Sequence, residues 1–170
     1  MVAKRIPEAK GVPRRQTLRS LSPVVDPTEQ AVLRYLARRN RTEAQMRAYL
    51  TRLGVSSARV GSMIKRLIEQ GYLNDERYGL RWASARLARR PMGRERLETE
   101  MIGQGLERGT VERTLKQVYG ERSERELALA LLSRKRDWRT PTNRSAGATL
   151  LRRYGFTEET IEAVLGNGES

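Results

Sequence analysis

The sequence predicts an all-α protein built from three tandem three-helix repeat units, which together would form an elongated, curved helical-repeat body. Two observations predict this fold class. Apolar residues recur at the three- and four-residue spacing of amphipathic helices, and no stretch alternates as a half-buried strand would. In addition, three segments of the chain align on a glycine, at Gly54, Gly105 and Gly155, which stand about 50 residues apart.

Each of these segments has the same pattern around its glycine. An apolar residue follows at once, a β-branched residue stands six positions later, and Leu or Met stands four positions before. A helix that ends at a left-handed glycine, sealed by the next apolar residue, gives this pattern, so each segment is predicted to join two helices. The matched residues are Leu50, Val55 and Val60; Met101, Leu106 and Val111; and Leu151, Phe156 and Ile161.

A further helix is expected ahead of each pair, at about 28–39, 75–89 and 124–137. Thr42 with Gln45, and Ser123 with Glu126, have the spacing of capping boxes. Asp26 is a suitable N-cap for the first helix, with Pro27 at its first position and Glu29 where a capping-box partner belongs. The predicted organisation is a flexible basic arm (1–25), three units (26–73, 74–120 and 121–166) and a short tail (167–170).

Composition narrows the range of functions. The 170 residues contain no Cys and no His, which removes thiolate metal sites and the commonest general base. No run of about 18 apolar residues could span a membrane, and the N-terminus lacks the apolar core of a secretory signal. We therefore expect a cytoplasmic protein with no metal, no cofactor and no membrane partner. The net charge of +14 instead indicates an anionic partner.

The segment "GYLNDERYGLRW" contains two adjacent acids, which raises the question of catalysis. Asn74 is a good N-cap, and acids in the first turn favour the positive end of the helix dipole. Neighbouring helical side chains point about 100° apart, so two such acids do not converge on one substrate atom. We interpret the segment as the joint between the first two units, formed by Gly71, Tyr72, Leu73, Asn74, Asp75, Glu76, Tyr78 and Trp82.

Two alternatives for this region carry less support. Tyr78 and Trp82 share a helix face and are expected to pack between units, although they could also stack on bases. The glycines of "GQGLERG" do not have dinucleotide-loop spacing, no strand precedes them, and no phosphate-loop motif occurs in the chain. The chain is therefore not expected to be an enzyme, and no catalytic residue is assigned.

Arginines are the residues that composition leaves unexplained. They recur in every unit with few acids to balance them, and arginine pairs with phosphate or carboxylate at two points. A charge run is often only a solvated face, but the unbalanced excess favours a surface for an anionic partner. The predicted basic face comprises Arg81, Arg86, Arg89, Arg90, Arg94, Arg96, Arg134, Lys135, Arg152 and Arg153.

Three stretches resemble the RecX family of bacterial recombination regulators. "IEQGYLNDERYGLRWASAR" (68–86) is similar to the family's G-[YF]-[LI]-[DN]-D-x-x-[FY]-A-x-x-[WYF] signature, with Gly79 where Ala is usual. "GRERLETEMIGQGL" (93–106) resembles the next element, with Gln104 in place of a basic residue. "LLRRYGFTEETIEAVL" (150–165) resembles the closing element, with Tyr154 at its second basic position.

This resemblance implies a non-enzymatic, three-unit helical protein that binds RecA recombinase filaments along their groove. Such a protein would restrain recombination, ATP hydrolysis and co-protease activity, with single- or double-stranded DNA as a secondary partner. A monomer is expected. The alternative is a direct DNA-binding protein or transcriptional regulator in which "TEAQMRAYLTRLGVSSARVGSMIKRL" (42–67) acts as a helix-turn-helix.

Overall fold

The computed structural model describes residues 26–134 and 141–166, apart from the side chains of residues 141 and 142. These residues form nine α-helices and no strand, so the predicted all-α class is confirmed. The predicted arm, the tail and Lys135 lie outside the described residues. The helices are α1 (Pro27–Arg38), α2 (Glu43–Arg52), α3 (Ser57–Glu69), α4 (Asp75–Arg89), α5 (Arg94–Gly103), α6 (Arg108–Glu121), α7 (Glu124–Leu132), α8 (Pro141–Arg153) and α9 (Glu158–Leu165).

The three repeat glycines end α2, α5 and α8 in the same way. Gly54, Gly105 and Gly155 have φ angles of 77°, 86° and 72°, the left-handed region that favours glycine. In each turn the amide after the glycine donates to the carbonyl five residues back, as Val55 does to Leu50 at 3.2 Å. This is the Schellman arrangement, which satisfies carbonyls at a helix end. The predicted repeat is thus confirmed in geometry.

Helix starts follow the predicted caps in part. Ser123 and Glu126 form a complete capping box at α7. At α2 the Thr42 hydroxyl accepts from Gln45 N at 3.2 Å, but the Gln45 side chain reaches across to Gln104 and does not close a box. At α1 the box partner Glu29 pairs with an arginine of α3. Long-range partners therefore replace the local contact in two of the three predicted boxes.

The apolar core is divided between the first unit and the other two. Val32, Met46, Leu50 and the buried face of α3 form one cluster. A second cluster extends without a break from Ala83 in α4 to Leu165 in α9. Helices α4 to α9 therefore share one core, whereas α1 to α3 have their own. The predicted boundaries of the three units remain predictions, and α6 continues to Glu121, one residue beyond the boundary at 120.

The middle helices of the three units lie head to tail. The start of α5 sits on the glycine turn of α8, where Gly93 N donates to Tyr154 O at 2.9 Å and Glu95 N to Gly155 O at 3.2 Å. The start of α2 sits likewise on the turn of α5, where the Thr42 hydroxyl donates to Gln104 O at 2.9 Å. The N-termini of α2 and α5 thus meet carbonyls at the C-termini of α5 and α8, an arrangement of favourable dipoles.

Candidate functional site

The joint motif forms the transition from α3 to α4. Gly71 ends α3 with a φ of 75°, and Leu73 is 1% exposed in the core of the first unit. Asn74 caps α4, since its Oδ1 accepts from Arg77 N at 2.8 Å. These three residues have the local structural roles that the sequence indicates.

The two acids of the motif point to different partners. Asp75 Oδ1 accepts from Glu43 N at 2.9 Å, which connects α4 to the start of α2 in the first unit. Glu76 forms an ion pair with Arg113 and accepts from the Thr110 hydroxyl, both on α6. The acids therefore stabilise two different helix contacts, as the argument from helical geometry predicts.

The surroundings of the acids shift their pKa values in opposite directions. Burial raises the pKa of Asp75, and the nearby Glu107 adds to the effect. Burial together with Asp75 raises the pKa of Glu43. A hydrogen bond from Arg113 lowers the pKa of Glu76. Glu43, Asp75 and Glu107 line a cavity of about 320 Å³ beside the seam, which is the contact of the start of α2 with α4 and the end of α5. Repulsion between these three carboxylates opposes close contact of the first two units.

The aromatic residues of the motif do not bridge the first two units as predicted. Tyr72 is 53% exposed, so its expected role in sealing the joint is wrong. Tyr78 and Trp82 are half-buried and pack against the core that α4 shares with α5 to α9. Tyr78 reaches the seam only through its hydroxyl, which donates to Gln104 Oε1 at 3.3 Å. Both rings therefore belong to the apolar core of α4 to α9 and not to the contact with the first unit.

Polar side chains hold the seam, a role that the sequence did not indicate for them. Gln104 lies at its centre, where its carbonyl accepts from Thr42 and its side chain meets Gln45 at 3.3 Å. The backbone of Gly105 lies so close to Ala44 that a Cβ would collide with it. The only sequence signal for the role of Gln104 was that it stands where the RecX pattern has a basic residue.

Part of the predicted basic face is neutralised within the protein. Arg86 and Arg96 both pair with Glu100, at 2.7 Å and 3.0 Å. Arg152 pairs with Glu158 at 2.6 Å. Partial burial acts to raise the pKa of Glu100, but hydrogen bonds from the two arginines outweigh it and lower that pKa. Because these three arginines are already paired with carboxylates, less of their positive charge is available to an anionic partner than the sequence suggests.

Another part of the basic face converges on a cleft. Arg90, Arg134 and Arg153 line a cavity of about 310 Å³ together with Leu131, Leu150 and Tyr154. All three arginines are exposed, and within the described ranges none of them forms an ion pair with a carboxylate. Tyr154, which the sequence did not assign to the site, is 6% exposed and carries the Arg90 guanidinium 4.4 Å from its ring centroid.

The remaining predicted arginines are separate from this cleft. Arg81 and Arg89 are exposed on α4. Arg94 lies 5.3 Å from the ring centroid of Tyr119, and its backbone N–H donates to Glu124. In the part of the chain that the structure describes, no group of three acidic residues is placed to hold a metal ion, and no helix is long and apolar enough to cross a membrane.

Comparisons with known proteins agree with the motifs. The sequence model of the family described as "RecX, first three-helix domain" matches residues 30–67. The regulatory protein RecX of Caldanaerobacter subterraneus subsp. tengcongensis is 26% identical over 136 residues, which are 78% of this chain and 66% of that protein. The aligned part thus covers slightly less than two thirds of this relative's length.

Solved structures show the same fold. The crystal structure of RecX from Lactobacillus salivarius superposes with a TM-score of 0.71 at 18% identity, covering 82% of this chain and 92% of that one. A second crystal structure of a regulatory protein RecX superposes with a TM-score of 0.65 at 21% identity, covering 79% and 68%. The chain is therefore similar to the first three-helix domain of RecX over residues 30–67, and it resembles RecX proteins in its fold over most of its length.

Proposed function

We propose that the protein regulates the RecA recombinase by binding the RecA–DNA filament and restraining its recombinase, ATPase and co-protease activities. Regulation of DNA repair and of the SOS response would follow from this activity. The similarity to regulatory proteins named RecX supports the regulatory role. The single structural observation that carries the proposal is the exposed arginine cleft, whose arginines have no carboxylate partner among the described residues, on a chain of net charge +14, which fits an anionic assembly.

The arrangement of the acids favours a binding role over catalysis. Asp75 is engaged by a backbone N–H of α2, and Glu76 by a guanidinium of α6. A pair of catalytic carboxylates would instead face one substrate position. We therefore propose that the protein acts without chemistry of its own, in the cytoplasm, where the filament would form. The net charge opposes self-association, which supports a monomer.

A co-sedimentation experiment tests filament binding. RecA filaments assembled on single-stranded DNA are pelleted with increasing amounts of the protein, and the bound fraction is measured. Saturable binding that exceeds binding to the same DNA without RecA supports the proposal. Binding that is identical with and without RecA would instead support a protein that recognises DNA alone.

A direct helix-turn-helix role is the second candidate, with α3 as the recognition helix. Each of the three basic residues of α3 already has an acidic partner. Arg59 pairs with Asp26, Lys65 with Glu69 at 3.9 Å, and Arg66 with Glu29 at 2.5 Å. Phosphate contacts by α3 would have to displace these pairs. The first unit therefore favours DNA binding less than the arginine cleft at the other end of the chain does.

A further inference from the structure

We propose that the seam is a hinge, at which the first unit (α1 to α3) swings against a second body (α4 to α9), and that the charge of the carboxylates at the seam sets how far it opens. The inference goes beyond the proposed function, because the motion belongs to the free protein and needs neither RecA nor DNA. Such a hinge would let the protein adjust the angle between its units to the surface of a partner.

The first unit is attached to the second body at one place. Within the described residues, the hydrogen bonds between the two, apart from one inside the α3–α4 connection, all start from the first turn of α2. Thr42 and Gln45 donate to Gln104, and the backbone N–H of Glu43 donates to Asp75. No ion pair among the described residues joins the two bodies. Contacts restricted to one place leave the rest of the first unit free to turn.

The apolar cores hold each body together but do not cross the seam. Val32, Met46 and Leu50 belong to the cluster of the first unit, whereas the second cluster extends from Ala83 to Leu165. Two bodies within one chain are expected to move relative to each other unless their interface is large and hydrophobic. Because the buried clusters end on either side of the seam, the polar contacts are what resists the swing.

Asn74 is the covalent pivot. Leu73 before it is 1% exposed in the core of the first unit, and Asp75 after it is the first residue of α4. Asn74 itself is exposed, and its φ of −159° and ψ of 100° are an extended conformation outside both helices. The exposed guanidinium of Arg77 donates to Gly71 O across this point at 2.9 Å, a contact that water can replace. Hinge motions are absorbed by a few residues of this kind at the ends of helices.

Three carboxylates beside the contact favour opening. Glu43 belongs to the first unit, whereas Asp75 and Glu107 belong to the second body, and all three line the cavity of about 320 Å³. A swing that moves Glu43 away from the other two separates like charges and returns the carboxylates to water. Ionisation of these groups therefore favours the open state, and their neutralisation favours the closed one.

The other charged groups around the cavity do not cancel this repulsion. Arg47 of α2 lines the cavity and attracts Glu43, but it is one positive charge against three negative ones. Glu76 adds to the repulsion on Asp75, and its ion pair with Arg113 lies wholly within the second body. Opening the seam therefore leaves that ion pair intact and relieves the repulsion on Glu43.

The titration of the seam gives the direction of the pH response. Burial raises the pKa of Glu43, and Asp75 adds to that shift, while burial likewise raises the pKa of Asp75. The closed state thus binds protons more tightly than an open state in which these carboxylates are hydrated. Acid should close the hinge, and a rise in pH through the raised pKa values should open it.

The test measures distances between pairs of spin labels in the full-length protein. The sequence contains no Cys, so introduced cysteines are the only labelling sites. Ser62→Cys on α3 with Ser84→Cys on α4 spans the pivot, and Ser84→Cys with Thr99→Cys on α5 lies within the second body; all three positions are exposed. Double electron–electron resonance gives the distance distribution of each pair without RecA or DNA, so the result is independent of the proposed function.

We expect two distances across the pivot, one for the closed state and one for the open state. The ratio of closed to open protein should rise as pH falls from about 8 to about 5, where carboxyl groups with raised pKa values take up protons. The pair within the second body should keep one distance throughout. A single unchanged distance across the pivot, or equal changes in both pairs, would overturn the proposal.

Charge variants identify the groups that open the hinge. Glu43→Gln with Glu107→Gln removes two charges at the seam, and Glu112→Gln with Glu121→Gln removes two from exposed positions of α6 as the control. The seam variant should raise the ratio of closed to open protein at neutral pH by about threefold or more, the scale of repulsion between carboxylates across a small hydrated cavity. The control should behave as the wild-type protein does. A control that changes the ratio as much as the seam variant would show that overall charge sets the opening, which contradicts the proposal.

Discussion

Asp75 accepts a hydrogen bond from the backbone N–H of Glu43, across the seam between the first two units, at 2.9 Å. The two residues are far apart in the sequence, and the bond joins the first turns of α4 and α2. Because the apolar cores on the two sides are separate, polar contacts of this kind hold the first unit against the rest.

Removing this acceptor should destabilise the protein. We expect Asp75→Ala to lower the free energy of unfolding by about 1 kcal/mol, since the Glu43 amide loses its partner. Asp75→Asn keeps an oxygen in the same place, and because burial already raises the pKa of Asp75, loss of the charge costs little. Urea unfolding measures both variants. An Asn variant as unstable as the Ala variant would show that the charge, and not the hydrogen bond, matters.

Two glutamates should respond to pH with opposite signs. The pKa of Glu43 is raised in the folded state, so the folded protein binds this proton more tightly than the unfolded chain does. As pH rises from the unfolded pKa through the folded pKa, the carboxyl group becomes charged and the free energy of unfolding falls. We expect Glu43→Gln to be more stable than wild type at neutral pH, by a margin that shrinks below about pH 4. Urea midpoints at both pH values give the comparison.

Glu100→Gln provides the matched control. The pKa of Glu100 in the wild-type protein is lowered, so ionised Glu100 stabilises the folded state. This contribution to stability is lost as pH falls through the folded pKa. The variant should be less stable than wild type at neutral pH and approach it in acid. If both glutamine variants moved in the same direction with pH, the assigned interactions would be incorrect.

Thr114 has a buried hydroxyl for which the described part of the chain provides no hydrogen-bond partner. The residue is 1% exposed on α6, where its Oγ1 faces Gly79 of α4. Thr114→Val keeps the shape and removes the unsatisfied group, so we expect a gain of about 1 kcal/mol in thermal or urea unfolding. Thr114→Ser keeps the hydroxyl, loses a methyl and should be destabilised. A less stable Val variant would contradict this assignment.

Gly93 should not tolerate a side chain. A Cβ there would overlap the backbone of Gly155 and Phe156, so the start of α5 could no longer sit on the turn of α8. We expect Gly93→Ala to cost about 2 kcal/mol or more. Gly103→Ala, where a Cβ meets open space at the end of α5, should be neutral or slightly stabilising. Similar unfolding curves for the two variants would disprove the close contact.

Local signals account for what the sequence predicts well. The glycine turns at 54, 105 and 155 and the cap at Ser123 depend on neighbouring residues, and the structure confirms them. The features that the sequence did not predict depend on contacts between residues far apart in the chain. Nothing in the sequence indicates that Glu100 neutralises two arginines, or that Tyr72 faces solvent. The convergence of three helix ends on the arginine cleft likewise depends on how the second and third units pack together.

The central claim is tested most directly by the ATP hydrolysis of RecA on single-stranded DNA, measured during titration with the wild-type protein at fixed salt. A filament-binding regulator should inhibit hydrolysis at amounts well below one copy per RecA protomer, because one bound molecule can restrain many protomers of a filament. Hydrolysis that remains unchanged over a wide range of doses, with the protein shown to be folded, would contradict the proposed function.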